Sequence, residues 1–174
     1  MYKITGKIDL EEVRAFMIKA HGSQMRSDKK TPYYTHPVSV TNRLKAHGIT
    51  DDVVLATSDL HDVLEDTTAS EADIEDLAGP EVLESVKQLT NLVKGKGKNA
   101  SLFEHAAKYN DVSKRVKLAD RLDNLSDAVF QWEYERVKFY AEAGLTLLDI
   151  MKPFPQDVAR LEKETRTLIA ACLM

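Results

Sequence analysis

Apolar residues recur at three- and four-residue steps along almost the whole chain, the spacing of one helix face rather than the alternation of a strand. Leu10, Val13, Phe16, Met17 and Ala20 follow this spacing behind Asp9, a residue suited to cap the helix they predict. The segment 23–35 is polar, contains Pro32 and reads as a loop. Pro37 then falls in the first turn of a helix to about residue 45, where proline is tolerated. Gly48 closes that helix, and Asp51 or Asp52 opens the next. Ser70 and Asp73 read as a capping box for a short helix ending near Gly79, and Pro80 starts another carrying Val82, Val86 and Leu89. Lys94, Gly95, Lys96, Gly97 and Lys98 form the one low-complexity stretch, a flexible, positively charged break. Helical spacing resumes over 103–109, 112–130 and 134–150, and Pro153 and Pro155 set off a last amphipathic helix with Val158, Leu161, Leu168 and Ile169. No alternating run competes and no internal repeat is visible. The pattern predicts an all-α fold of eight or nine helices around one core, with residues 1–174 as a single domain.

Composition narrows the class. At 43% hydrophobic and 30% charged residues, the chain can bury a core. Its 24 Lys and Arg against 28 Asp and Glu give a net charge of -4, the opposite of the broad basic surplus of a DNA- or RNA-coating protein. A small basic pocket remains compatible with that balance. The single cysteine, Cys172, rules out an intramolecular disulfide and suits a reducing, cytoplasmic setting. No apolar run approaches the roughly 18 residues of a membrane span, and no signal-peptide core opens the chain, so a soluble protein is expected.

The chemistry concentrates in residues 53–66. On a continuous helix His61, Asp62, Glu65 and Asp66 fall within an arc of about 140°, with Ala56, Leu60, Val63 and Leu64 mostly opposite; Val54 and Leu55 blur the pattern. A solvated acidic face gives the same spacing. Three crowded carboxylates, however, repel one another unless a cation neutralises them, and a divalent metal does so economically. Two further residues are candidate ligands. His36 lies at a loop-to-helix junction, and Asp120 lies in the otherwise apolar stretch around Val116, Leu118, Ala119 and Leu122. A buried aspartate needs a partner, either a metal or a base such as Arg121.

The order His36, His61-Asp62, Asp120 resembles the H…HD…D signature of the HD superfamily of metal-dependent phosphohydrolases. Around it, residues 20–26, 32–38, 60–67 and 116–125 are similar to successive motifs of the RelA/SpoT hydrolase domain, in the same order. Ala78-Gly79, Val86 to Thr90 and Trp132 to Tyr140 continue the likeness, the last as in stand-alone small alarmone hydrolases. The resemblance covers about 10–145 and leaves no room for a synthetase domain.

The resemblance implies that His36, His61, Asp62 and Asp120 hold one Mn2+ ion. Mixed imidazole and carboxylate ligation also suits iron or another first-row metal. It implies that Glu65 and Asp66 orient or deprotonate the attacking water, and one helical turn separates each from His61 and Asp62 respectively. The reaction implied is removal of the 3′-pyrophosphate from guanosine tetra- or pentaphosphate, giving GDP or GTP. Positive groups must then stabilise the phosphoryl transition state. Arg26 corresponds to the arginine that packs on the base and Asn124 to the asparagine on the ribose side; Lys94, Lys96, Lys98, Arg136 and Tyr140 complete the candidates. Each cation also reads as an ordinary surface charge. His21, His47 and His105 lack a partnered spacing, and Trp132 reads as packing in the core or the pocket wall.

Three positions depart from the motifs: Ser27 replaces a lysine, Asp123 a histidine or tyrosine, and Ser126 an arginine. Two basic positions are lost near the phosphates and an acid is gained. A second substrate therefore stays open, NADPH or another 2′- or 3′-phosphorylated nucleotide. A catalytically silent nucleotide-binding domain is the third reading. Nothing in the sequence sets the oligomeric state.

Overall fold

The computed structural model describes residues 7–174. Its helices are α1 (Leu10–His21), α2 (Thr35–Ala46), α3 (Asp52–Leu60), α4 (Val63–Asp66), α5 (Glu71–Ala78), α6 (Pro80–Leu89), α7 (Lys98–Ala106), α8 (Asp111–Gln131), α9 (Tyr134–Ile150) and α10 (Ala159–Leu173), with a 3-10 turn at Gln156–Val158. Among the described residues there is no strand, only an isolated bridge between Met25 and Pro32. No described helix is long and apolar enough to cross a membrane.

The expected start signals do their work. Asp9 accepts hydrogen bonds from the backbone N–H groups of Glu11 and Glu12, Ser70 and Asp73 form a reciprocal capping box, Asp51 caps α3, and Pro80 opens α6. The single helix expected over 53–66 is instead two, because the backbone leaves the helix at His61 and Asp62. Counting α3 and α4 as one broken helix gives the upper expected number.

Two apolar clusters make up the interior. One joins α1, α4, α5 and α6 through Val13, Met17, Val63, Ile74, Val82 and Val86. The other joins α2, α8, α9 and α10 through Leu44, Leu118, Leu122, Leu148 and Ile169. Helix α3 belongs to both: Ala56 and Leu60 face the first, Val54 and Leu55 the second. Every residue from Val54 to Leu60 is buried, so the blurred amphipathic pattern there belongs to a central helix packed on all sides. Gly144 lets α9 approach its neighbours closely; a Cβ there would stand 3.2 Å from Ile169 Cδ1 and 3.5 Å from Arg121 Cδ.

One buried carboxylate inside this frame ties three helices together. Asp59 of α3 accepts from Arg14 Nε at 3.1 Å and Nη2 at 2.9 Å, and from Thr41 Oγ1 at 2.6 Å, tying α1 and α2 to α3. Arg14→Ala leaves the Asp59 carboxylate buried with one neutral donor. The expected loss is roughly 2–3 kcal/mol of unfolding free energy in urea, with Arg14→Lys losing less because only the fork geometry disappears. A loss below about 0.5 kcal/mol, the scale of an exposed pair, would contradict a structural role for this bridge.

Candidate metal centre and adjoining cleft

The break after α3 builds half of the centre. A helix end leaves its last carbonyls without intrahelical partners, and here the Ser58 carbonyl accepts from His61 Nδ1 at 2.6 Å. With Nδ1 carrying the proton, His61 Nε2 presents its lone pair; that atom is buried and has no hydrogen-bond partner. Asp62 follows in the same turn, its Oδ2 3.0 Å from His61 Nε2 and accepting from the Tyr33 hydroxyl at 2.6 Å. Buried Leu60 and Val63 flank the pair and hold the turn in place.

His36, near the start of α2, is oriented in the same way. Its Nδ1 donates to Asp123 Oδ2 at 2.8 Å, leaving Nε2 3.1 Å from Asp120 Oδ1 and 3.6 Å from Asp62 Oδ2. Asp123 also accepts from Ser39 and from Arg43 Nε at 3.0 Å, and Arg26 Nη1 lies 3.5 Å away. One of the three residues that depart from the motifs, Asp123, is therefore the carboxylate behind a candidate histidine ligand.

Asp120 enters from α8. Lys117 donates to its Oδ2 at 2.8 Å and Asn124 to its Oδ1 at 2.6 Å. The base paired with Asp120 is thus Lys117, not Arg121. His36, His61 and Asp62 offer ligand atoms all within 4.8 Å of one another, and Asp120 Oδ1 lies 3.6 Å from His61 Nε2.

The charge state of the cluster follows from this crowding. Burial pushes both imidazoles down, but the Asp62 and Asp120 carboxylates outweigh it and raise both above the ordinary histidine value. Burial opposes ionisation of Asp120, yet Lys117 and the two histidines hold its carboxyl well below the usual range. Asp123 is lowered to about 2, its bonds from His36, Ser39 and Arg43 overriding burial. The site keeps its acids ionised and draws positive charge onto its histidines, which is the demand a divalent cation meets.

A cleft of about 470 Å³ opens beside these donors, bounded by Asp62 and Asp120 and by Glu65 and Asp66. Glu65 accepts from the Asn91 N–H at 3.1 Å and from Lys94 Nζ at 2.9 Å, with Lys98 Nζ 3.6 Å away. Partial burial and the neighbouring Asp62 and Glu65 carboxylates raise Asp66. Lys94, Lys98, Asn124, Arg136 and Tyr140 also line the cleft. Arg136 stacks on Trp132, 3.8 Å from Cζ to the ring centroid, and Trp132 meets Tyr140 edge-on, so this tryptophan is part of the pocket wall.

Two expected substrate residues lie elsewhere. Arg26 is engaged by Asp127 at 3.0 Å and by Asp123, and neither it nor Lys96 lines the cleft. Ser27 points to Gln131, at 2.9 Å. His21 and His47 make structural bonds to Gln24 and to the Arg43 carbonyl, and His105 is exposed. Lys117, Tyr33 and Arg121 belong to the cleft without having been anticipated. For Lys117 a signal existed: it precedes Asp120 by three residues, on the same helix face.

Known proteins resemble this chain in sequence and in fold. A family profile described as HD domain matches residues 14–147. The Drosophila melanogaster protein named guanosine-3′,5′-bis(diphosphate) 3′-pyrophosphohydrolase MESH1 is 44% identical over 112 residues, 62% of this chain and 62% of that protein's own length. The protein of the same name from Xenopus tropicalis is 38% identical over 139 residues, covering 74% and 76%. GTP pyrophosphokinase rsh of Brucella suis is 34% identical over 152 residues, 83% of this chain but 20% of that longer protein. The solved structure of a metazoan SpoT ortholog that hydrolyzes ppGpp superposes with a TM-score of 0.86 at 31% identity, covering 100% of both chains. With the profile spanning most of its length, this chain belongs to the HD domain family.

Proposed function

We propose that this chain is a (p)ppGpp 3′-pyrophosphohydrolase: it removes the 3′-pyrophosphate of guanosine tetra- or pentaphosphate, giving GDP or GTP, with Mn2+ held by His36, His61, Asp62 and Asp120. The observation that carries the reading is the buried, unpartnered His61 Nε2 facing two carboxylates and the Nε2 of His36. That donor set contains no thiolate and fits a first-row divalent ion. The relatives' names supply the substrate class.

When bound, such an ion polarises a phosphoryl oxygen and makes water more acidic. The chain's own residues do the rest. Glu65, fixed through Asn91 and Lys94, orients the attacking water. Asp66, raised toward the working pH, accepts its proton. The water oxygen bonds to the phosphorus attached at O3′, the P–O3′ bond breaks, and the 3′ oxygen leaves with the electron pair and takes a proton from solvent in the open cleft. Lys94 and Lys98 face the accumulating phosphoryl charge, and the Arg136–Trp132–Tyr140 wall holds the nucleoside.

Four measurements test this. With guanosine tetraphosphate and Mn2+, the protein is expected to release GDP and pyrophosphate until a chelator is added; turnover of NADPH in its place would contradict the substrate. Glu65→Gln with Asp66→Asn is expected to lower kcat by roughly 10²–10⁴-fold while the metal stays bound, and wild-type turnover would remove the pair from the water-handling role. Asp123→Asn keeps the shape of the bond to His36 but loses the charge behind it. Mn2+ affinity by calorimetry is expected to weaken by roughly 10–100-fold, and an unchanged affinity would contradict the orienting role. Because both histidines are raised, protons compete for Nε2, so Mn2+ affinity in the wild type falls as the pH is lowered.

A further inference from the structure

The geometry points to an oxyanion subsite at Arg121, a residue outside both the donor set and the candidate substrate-binding residues named from the sequence. Arg121 is only 4% exposed, yet it lines the cleft. Its Nε and Nη1 are buried and have no hydrogen-bond partner. Five other arginines, Arg14, Arg26, Arg43, Arg115 and Arg166, each pair with a carboxylate, whereas Arg121 enters no ion pair among the described residues. The other buried cation of the cleft, Lys117, is already taken by Asp120.

A guanidinium cannot relieve its burial by losing a proton, so buried N–H groups left without a partner on both of its edges carry a cost that folding alone does not explain. Its surroundings hold it ready. The guanidinium carbon sits 4.0 Å from the centroid of the Tyr140 ring, a cation–π contact that fixes its plane without using its N–H groups. The stem packs where Gly144 leaves room. A planar, charged, permanently protonated fork beside a metal centre is matched to the paired oxygens of a phosphoryl group. The ligand is a phosphoryl oxyanion, and in the proposed substrate, on which this identification rests, it belongs to either the 3′- or the 5′-diphosphate.

The test uses the full chain freed of metal by a chelator, titrated in a calorimeter with inorganic pyrophosphate and, separately, with GDP. Arg121→Met keeps the stem against Gly144 and removes the fork; Arg121→Lys keeps the charge and loses the paired geometry. About tenfold weaker pyrophosphate binding in Arg121→Met, with a smaller loss in Arg121→Lys, is expected if the fork grips the 3′-diphosphate. The same pattern with GDP assigns the 5′-diphosphate. The thermal midpoint separates this from a packing role: removing an unpaired buried charge leaves it unchanged or raises it. Equal affinities for both anions in wild type and Arg121→Met, absence of binding of either in the wild type, or a lowered midpoint without an affinity change overturns the subsite. A wild-type protein that binds pyrophosphate through Arg121 but leaves guanosine tetraphosphate intact sinks the proposed substrate and leaves the subsite standing.

Discussion

Two carboxylates and two imidazoles share a buried space between α2, α3 and α8, and the charge they gather must be compensated from within the fold. Two like charges so close inside a protein repel strongly, and burial adds the loss of hydration. Donors around the centre meet part of that demand: Lys117 and Asn124 on Asp120, and Tyr33 on Asp62. The remainder falls on His36 and His61, whose protonation is raised by the same carboxylates. A divalent ion held there would replace those protons, which would make metal loading and the charge state of the site one equilibrium.

The architecture serves this arrangement. Helix α3 is buried on all sides because it carries the His-Asp pair into the interior, and its end at Leu60 frees the carbonyl that sets the His61 tautomer. Helix α8 supplies successive turns of one long face: Lys117, Asp120 and Asn124 toward the His36–His61–Asp62 cluster, Asp123 behind His36, and Arg121 under Tyr140. The chain segment before α2 is pinned by Gln24, whose amide donates to the Asp66 carbonyl at 2.6 Å, and this fixes the end of α4 beside the cleft.

Much of this was legible from residue types alone. Asp9, Ser70 with Asp73, and Pro80 mark helix starts because caps are local chemistry, and the apolar spacing over 134–150 coincides with α9. The four donors are legible as a set because their order matches a known motif, and the structure brings them together. What was hidden depends on tertiary contact. The break at His61 lies inside an unbroken helical pattern. Arg26 turns to Asp127 and Asp123 only because the loop before α2 lies against α8. Asp123 looks like a lost basic position until His36 is seen in front of it, and the burial of Lys117 and Arg121 cannot be read from two charged letters in a helix.

A Mn2+ titration of metal-free protein, followed by calorimetry, tests the central claim that this buried cluster is a single cation site. The account predicts one ion per chain, bound with release of protons from the histidines, and loss of that site in Asp120→Asn and in His61→Ala. Absence of binding in the wild type, or a site that survives both substitutions, would contradict it.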